Sequence, residues 1–123
     1  MASGSNAYCI YRDRKNRLWA ATMDGANLFD EGQQKFSKIK SFKSLTIDIK
    51  EDLQGNVWFA TQGGGLWRLD KNNVWKQYKH VENDSNSLMS DLVNCLVIGE
   101  KGQLYAATGD GLCEFLPSKG IFR

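Results

Sequence analysis

The sequence predicts an all-β fold, and two observations carry that prediction. One pattern of strand and turn signals occurs three times along the 123 residues. The glycines fall in turns between β-prone runs, as in residues 55–70, GNVWFATQGGGLWRLD, where no helical period follows the glycines. The chain is therefore expected to consist of repeated antiparallel strands.

The three copies begin at Cys9, Asp48 and Cys95, and Trp19, Trp58 and Tyr105 occupy equivalent places in them. These aromatic residues are spaced by 39 and 47 residues, from 19 to 58 and from 58 to 105. A period of about 40 to 47 residues is typical of propeller repeats. Each copy contains four strand signals, which is the number of strands in one propeller blade.

The strands of each copy follow in a fixed order. The first lies at residues 9–11, 47–49 and 95–98, and the second is RLWAAT, NVWFAT or QLYAAT. The third, ANLFD, LWRLD or LCEFL, comes after a glycine turn, and the fourth lies near Phe36, near Trp75 and at the final GIF. The predicted blades cover about residues 8–40, 45–80 and 92–123, and residues 1–7 are expected to be a cloning remnant.

Side-chain alternation predicts how the second strand packs. Successive side chains point to opposite faces, so Trp58 and Ala60 share one face while Phe59 and Thr61 share the other. The recurrence of Ala21, Ala60 and Ala107 indicates close approach of a neighbouring blade. This strand is interpreted as structural.

The glycine-rich stretch at 63–65 is interpreted as a turn. A phosphate-binding loop leads from a strand into a helix, whereas these glycines lead into another β-prone run. Gly25 and Gly111 occupy the same turn in the other copies, which indicates a need for a positive φ in a tight hairpin.

Composition narrows the function classes. Hydrophobic residues make up 41% and charged residues 24% of the chain, as in a soluble globular domain, and the net charge of +2 comes from interspersed signs. Without a basic stripe, nucleic acid is not an expected partner. No apolar run is long enough to cross a bilayer, so no direct membrane contact is expected of this part of the protein.

Metal and catalytic sites are also not expected. Three cysteines cannot all pair within one chain, none has C-x-x-C spacing, and His80 is the single histidine. A triad would need a nucleophile beside a histidine, and the Glu51–Asp52 pair lies at a turn, where hairpin chemistry explains it better. We expect no cofactor, no metal and no catalytic residue.

Several linked positions resemble the two-component regulator propeller repeat, from Tyr8 to Phe122. Ser87, Leu88 and Val93 resemble the start of that family's repeat. Glu51, Asp52 and Gly55 resemble its acidic turn. The strand Val57–Thr61 and the exit formed by Gly65, Leu66, Leu69 and Asp70 continue the pattern. The chain departs from the family pattern at several positions: an alanine precedes each threonine, Asn16 stands at a turn glycine, Ala26 stands in place of leucine, and Tyr105 stands in place of tryptophan.

The resemblance implies the periplasmic sensor region of a hybrid two-component regulator of the Bacteroides type. It implies that the parent protein recognises a ligand, often an oligosaccharide, and signals to a histidine kinase that is absent from these 123 residues. The alternatives left open are a propeller lyase or hydrolase and a purely structural, self-assembling propeller piece.

Three blades are fewer than the 4 to 8 with which propellers typically close. The chain is therefore expected to be a fragment of a larger propeller, forming an open arc or half of an assembled one. Self-association through exposed blade faces, as a homodimer of two three-blade chains, is the expected way of covering those faces.

The candidate ligand-binding residues are Asp24, Gln62 and Asp110, which lie beside the shared glycine at one common end of the blades. Loops on rigid scaffolds carry binding functions, and acids and amides can bind sugar hydroxyls. Trp67, together with Trp75, could stack on a sugar ring. Solvated turns and buried aromatic rings are the alternative interpretation of the same residues.

Overall fold

The computed structural model describes residues 6–39 and 42–123, which form three four-stranded antiparallel sheets and no helix. Blade 1 contains β1 (Ala7–Arg12), β2 (Leu18–Thr22), β3 (Gly25–Asp30) and β4 (Lys35–Lys38). Blade 2 contains β5 (Thr46–Glu51), β6 (Val57–Thr61), β7 (Leu66–Leu69) and β8 (Trp75–Tyr78). Blade 3 contains β9 (Val93–Ile98), β10 (Leu104–Thr108), β11 (Gly111–Leu116) and β12 (Ile121–Phe122).

Within each blade the strands pair in sequence order, and the three sheets do not close into a ring. The predicted fold class, three four-stranded antiparallel blades in an open arc, is confirmed. Residues 1–5 of the predicted cloning remnant and residue 40, the predicted end of the first blade, lie outside the described residues. β1 already includes Ala7.

The hairpin between the second and third strands is built alike in all three blades. The threonine that ends the second strand donates its hydroxyl to the glycine carbonyl, at 2.9 Å for Thr22 and 2.7 Å for Thr61 and Thr108. The same hydroxyl accepts a turn N–H, from Asp24, Gly64 or Asp110. The hairpin glycines have φ values of +114° at Gly25, +75° at Gly65 and +132° at Gly111, which confirms the turn interpretation.

The hairpin between the first and second strands is organised around a buried aspartate in blades 1 and 2. The Asp52 carboxylate accepts the backbone N–H groups of Gln54 and Asn56 and, at 2.8 Å, the indole N–H of Trp58. Asp13 accepts the indole N–H of Trp19 in the same way, at 2.9 Å. Burial opposes ionisation of Asp13, but hydrogen bonds from Trp19 and Arg17 hold its pKa below the ordinary value.

These hairpins require the left-handed region of backbone conformation at one position. Gly55 and Gly102 adopt it with φ values of +88° and +85°, and Asn16 adopts it with +65° in blade 1. Asparagine is among the residues that tolerate this region best, so its substitution for the turn glycine leaves the hairpin intact. The Glu51–Asp52 pair is structural, as the sequence indicated.

Each blade has two faces, which we name by their residues. The leading face carries Trp19, Trp58 or Tyr105 on the second strand, and the trailing face carries Ala20, Phe59 or Ala106. The leading face of blade 1 packs on the trailing face of blade 2 around Trp19, Ile49 and Phe59. The leading face of blade 2 packs on blade 3 around Trp58, Leu96 and Phe115. The predicted division of β6 between two faces is confirmed.

The first strands β1, β5 and β9 lie side by side along the inner edge of the arc. Asp48 of β5 joins all three of them. Its carboxylate accepts the backbone N–H of Leu96 at 2.9 Å, lies 3.9 Å from the Cys9 thiol and pairs with Lys50 at 3.0 Å. The inner edge is therefore polar where blade 2 contacts both of its neighbours.

The long connection at residues 79–92 runs from blade 2 over the outer part of blade 3. Leu88 inserts fully into the core between these blades, and the Asn86 carbonyl accepts the backbone N–H of Phe122 at 2.9 Å. This connection, which lies in the longer of the two spacings between repeats, is thus anchored on the blade that follows it.

Candidate functional site

The candidate site is the end of the arc that carries the glycine hairpins. Asp24, Gln62 and Asp110 lie in the equivalent hairpins of blades 1, 2 and 3, between β2 and β3, β6 and β7, and β10 and β11. The structure therefore places all three on one end of neighbouring blades. Asp24 and Asp110 are exposed, and Gln62 is half-buried.

Gln62 connects blade 2 to blade 3. Its side-chain amide donates to the Asn94 side-chain oxygen at 2.9 Å, and its backbone N–H donates to the Leu45 carbonyl at 2.9 Å. An isolated bridge also pairs Gln62 with Leu92. This network joins the glycine hairpin of blade 2 to the start of β9 in blade 3.

Asp24 lines a cleft of about 360 Å³ together with Lys38, Ile39 and Lys43. The Lys38 ammonium lies 3.8 Å from an Asp24 carboxylate oxygen. This cleft therefore has a hydrogen-bond acceptor, the Asp24 carboxylate, beside two donors, the ammonium groups of Lys38 and Lys43. Asp110 is solvent-exposed in the corresponding turn, its backbone N–H donating to the Thr108 hydroxyl at 3.2 Å.

Trp67 is not brought together with these three residues. Its ring stacks on Phe42 at 5.0 Å with an interplanar angle of 16°, and Trp75 lies 6.3 Å away, in the core between blades 1 and 2. The indole nitrogen of Trp67 is buried and has no hydrogen-bond partner. The structure places the ring of Trp67 under the connection that contains Phe42, rather than over the hairpins.

The glycine-rich hairpin of blade 2 has no backbone donors to spare for an anion. Gly63 and Gly65 both donate to the Asp91 carbonyl, at 2.9 and 3.0 Å, and Gly64 donates to the Thr61 hydroxyl. A phosphate cradle needs such N–H groups converging on an open position. This hairpin instead holds the connection to blade 3 in place.

Sequence reasoning missed a second cleft on this end, of about 320 Å³, beside the connection at 79–92. Its lining residues are His80, Asp84, Ser85, Ser87, Leu88 and Met89. His80 is exposed, as expected for a residue in a polar connection; its Nδ1 lies 2.8 Å from the Leu88 carbonyl and its Nε2 lies 3.5 Å from Glu82. The hydrogen bond to Leu88, helped by Glu82, raises the pKa of His80.

The three cysteines are free thiols. Cys9 and Cys95 lie on blades 1 and 3, with Asp48 of blade 2 between them, so they are not adjacent within one chain. Burial raises the pKa of the Cys9 thiol. Among residues 6–39 and 42–123, no three histidine, cysteine or acidic side chains cluster closely enough to hold a metal ion. The described chain also holds no helix that could span a membrane.

Comparisons with known proteins give one family and several related folds. Residues 2–24 match the sequence model of the family described as the two component regulator propeller. No curated protein matches this chain. Among solved structures, the extracellular domain of the hybrid two component system BT3049 from B. thetaiotaomicron is similar, with a TM-score of 0.78 and 23% identity over 91% of this chain and 15% of that one.

Two further structures extend the comparison. The extracellular domain of the one component system BT4673 from B. thetaiotaomicron has a TM-score of 0.78 and 20% identity, over 96% of this chain and 18% of that one. A catalytically inactive virginiamycin B lyase from Staphylococcus aureus, solved with quinupristin, has a TM-score of 0.71 and 15% identity, over 100% of this chain and 42% of that one.

This chain thus spans less than a fifth of the two sensor domains, 15% and 18% of their lengths. The similarity at this level of identity shows a common fold of propeller blades. Together with the match over residues 2–24, it confirms the resemblance drawn from the sequence, to the two-component regulator propeller.

Proposed function

We propose that this chain is part of the ligand-binding propeller of a two-component sensor, located outside the cytoplasm, in the periplasm. The observation that supports this most strongly is the similarity of nearly the whole chain to blades of extracellular sensor domains. The family match at residues 2–24 supports the same assignment. The ligand-binding end is the one with the hairpin residues Asp24, Gln62 and Asp110.

The proposed ligand is an oligosaccharide. The hairpin end offers carboxylates at Asp24 and Asp110, an amide at Gln62 and ammonium groups at Lys38 and Lys43, all of which bind hydroxyl groups. These side chains are spread over three neighbouring blades, which suits an extended ligand better than a compact one. Trp67 contributes by supporting the hairpin end from below, since its ring packs on Phe42.

A glycan array followed by calorimetry tests this proposal directly. We expect a subset of oligosaccharides to bind, and the Asp24→Ala substitution to weaken binding about tenfold, as removal of a charged hydrogen-bonding group does. Glu31→Ala is the matched control, because Glu31 is an exposed acid at the opposite end of blade 1. Equal affinities of the two variants would contradict the assigned end.

The second candidate function is that of a propeller lyase, favoured by the similarity to virginiamycin B lyase. We propose instead that the chain has no enzymatic activity. The single histidine supports this, since His80 hydrogen-bonds the Leu88 carbonyl in an outer connection rather than facing acids along the inner edge. Incubation with quinupristin should leave the compound unchanged by mass spectrometry, and conversion abolished by His80→Ala would favour the lyase.

A further inference from the structure

A polar cleft of about 280 Å³ lies at the end of blade 2 opposite to its glycine hairpin. Its walls are two neighbouring turns, the one between β5 and β6 and the one between β7 and β8. Blade 2 packs on a neighbouring blade on each side, so the sheet that carries this cleft is described together with both of its neighbours. The residues that line the Arg68 cleft, as we name it, are Gln54, Asn56, Arg68, Asp70, Lys71 and Asn72.

Arg68 of β7 is held in this cleft by two aromatic rings. It lies opposite Trp58 of β6 in the sheet, so the two side chains share one face. The central carbon of its guanidinium lies 5.9 Å from the centre of the Trp58 ring and 5.7 Å from that of the Tyr78 ring. Both rings are buried. The attraction between a cation and these ring faces positions the guanidinium without using its N–H groups.

The N–H groups of Arg68 have no acceptor within residues 6–39 and 42–123. Its Nε is buried and makes no hydrogen bond, and none of the ion pairs in that part of the chain includes Arg68. The two Nη groups are not buried, so they are the part of the guanidinium that a ligand in the cleft can reach. A guanidinium presents paired N–H groups in the geometry that a carboxylate accepts.

The acids near Arg68 are engaged by their own turns. Asp52 accepts two backbone N–H groups and the indole N–H of Trp58. Asp70, which lines the cleft, accepts two backbone N–H groups at 2.8 and 2.9 Å. The charged lining residues are two cations, Arg68 and Lys71, and one carboxylate, Asp70. The cleft therefore keeps an excess of positive charge, which favours an anionic ligand.

The other lining groups are the side-chain amides of Gln54, Asn56 and Asn72. The Asn56 amide donates one N–H to Asp52 at 2.9 Å. The side chains of Gln54 and Asn72 are exposed and make no hydrogen bond within the described ranges. An amide offers both a donor and an acceptor, as a hydroxyl group does. The cleft thus places groups that bind hydroxyls beside a group that binds a carboxylate.

The arginine is specific to blade 2. The equivalent position, opposite the aromatic residue of the second strand, is Leu28 in blade 1 and Glu114 in blade 3. The same four-stranded sheet forms with leucine or glutamate at this position. A cation is therefore not a requirement of the repeat, and covering the Trp58 ring does not by itself account for Arg68.

We propose that the Arg68 cleft binds a small polyhydroxy carboxylate. The carboxylate accepts hydrogen bonds from the Nη groups of Arg68, and the hydroxyl groups bind the amides of Gln54 and Asn72. The cleft volume of about 280 Å³ lies just below that of pockets for drug-sized ligands, about 300 Å³ or more, and so suits a ligand of the size of a monosaccharide. This site lies at the opposite end of the blade from Gln62, so it does not depend on the ligand proposed for the hairpin end.

NMR titration with three compounds of equal chain length tests the proposal. D-gluconate carries a carboxylate and hydroxyl groups, D-glucitol carries hydroxyl groups alone, and hexanoate carries a carboxylate alone. Gluconate should shift the Nε–H resonance of Arg68 and the backbone amides of 54–56 and 70–72, and leave those of the glycine hairpins in place. Its dissociation constant should be about fivefold or more below those of the other two compounds. Equal affinity for gluconate and glucitol, or shifts only at other residues, would overturn the proposal.

Substitution of Arg68 separates its charge from its packing. Arg68→Met keeps apolar contact with the two rings and should weaken gluconate binding about tenfold or more. Lys76→Met is the matched control, because the Lys76 ammonium lies 5.1 Å from the Tyr78 ring on the same sheet face but does not line the cleft. Equal losses for the two variants would show that the anion follows the general charge of the face, and would contradict the assignment.

Two exposed turn positions provide a test that does not disturb the core. Gln54→Ala and Asn72→Ala should each weaken gluconate binding about threefold, because each removes a hydrogen bond to a hydroxyl group. Neither should change the binding of hexanoate, which has no hydroxyl groups. Unchanged gluconate affinity in both variants would show that the amides take no part, and would overturn the assigned ligand class.

Discussion

Blades 2 and 3 have the same strand order but differ in how their second strands are covered. Every residue of β6, VWFAT, is buried, whereas in β10, LYAAT, only Leu104 and Ala106 are buried. Blade 2 lies between two neighbours, and blade 3 has one. The residue pattern is thus similar in both strands, but Tyr105 and Ala107, on the side of β10 that faces away from blade 2, stay partly exposed, whereas the equivalent Trp58 and Ala60 are buried against blade 3.

The aromatic residue of the leading face also differs between the blades where that face is buried and blade 3, where it is partly exposed. Trp19 and Trp58, which are covered, each donate the indole N–H to a buried aspartate of the preceding hairpin. In blade 3, tyrosine replaces tryptophan at position 105 and glycine replaces aspartate at position 99, so both partners of the hydrogen bond are changed together. A buried indole N–H needs an acceptor, and a half-exposed tyrosine can bond water instead.

The largest difference is expected from truncating the two equivalent rings. Trp58→Ala should lower the free energy of unfolding by about 3–5 kcal/mol, because it opens a cavity between two blades. Tyr105→Ala should cost about 1 kcal/mol or less, because the Tyr105 ring is partly exposed. Urea unfolding of both variants measures this, and equal losses would contradict the comparison.

The second-largest difference in stability is expected between alanine substitutions of two hairpin glycines, Gly65 and Gly111. A Cβ at Gly65 would lie 2.2 Å from the Tyr78 carbonyl oxygen, whereas one at Gly111 would lie 3.1 Å from the flexible end of Met89. Both positions have positive φ, so Gly111→Ala should cost about 1 kcal/mol and Gly65→Ala about 3 kcal/mol or more. Thermal unfolding ranks the two, and a larger loss at Gly111 would show that the connection to blade 3 is the more rigid one.

A third effect concerns the buried aspartate that accepts the indole N–H of tryptophan, which is present in blades 1 and 2 and replaced by glycine in blade 3. Asp52→Ala should cost about 2 to 3 kcal/mol, because it leaves the Trp58 indole N–H buried without an acceptor. Asp70→Ala is the control, since Asp70 accepts two turn N–H groups in the same manner but is less buried than Asp52 and bonds no indole. Chemical unfolding should show a clearly smaller loss for Asp70→Ala. Equal losses would mean that the turn, and not the indole bond, accounts for the effect.

The smallest effect is that of pH on the connection at 79–92. Because the Leu88 carbonyl raises the pKa of His80, protonation favours the folded connection. This stabilisation is complete below the ordinary histidine pKa of about 6.5 and is lost as pH rises through the higher folded value. NMR titration of His80 should give a pKa above 6.5, with faster amide exchange in the connection at higher pH, and a value at or below 6.5 would contradict the contact.

Much of the fold could be predicted from the sequence because it repeats. The glycine hairpins, the division of β6 between two faces and the tolerance of Asn16 all follow from local rules of backbone conformation and side-chain alternation. The positions of Asp24, Gln62 and Asp110 at one end follow from the strand order. Their role in binding a ligand stays a prediction.

The rest could not be predicted, because it depends on contacts between blades. Trp67 lies under Phe42, a residue of an irregular connection that no strand pattern identifies. The bond from Gln62 to Asn94 and the bridging role of Asp48 join residues 32 and 48 positions apart in the chain. A signal for Asp48 was present, since it is an acid aligned with two cysteines, but only the structure shows what it contacts.

The central claim is that equivalent blades pack leading face on trailing face. The free energies of unfolding of Trp19→Ala and Trp58→Ala, measured in urea, test it most directly, because these two rings fill the two interfaces at equivalent positions. A loss of about 3–5 kcal/mol for both variants is the predicted result. A loss of about 1 kcal/mol or less at either ring would contradict the claim.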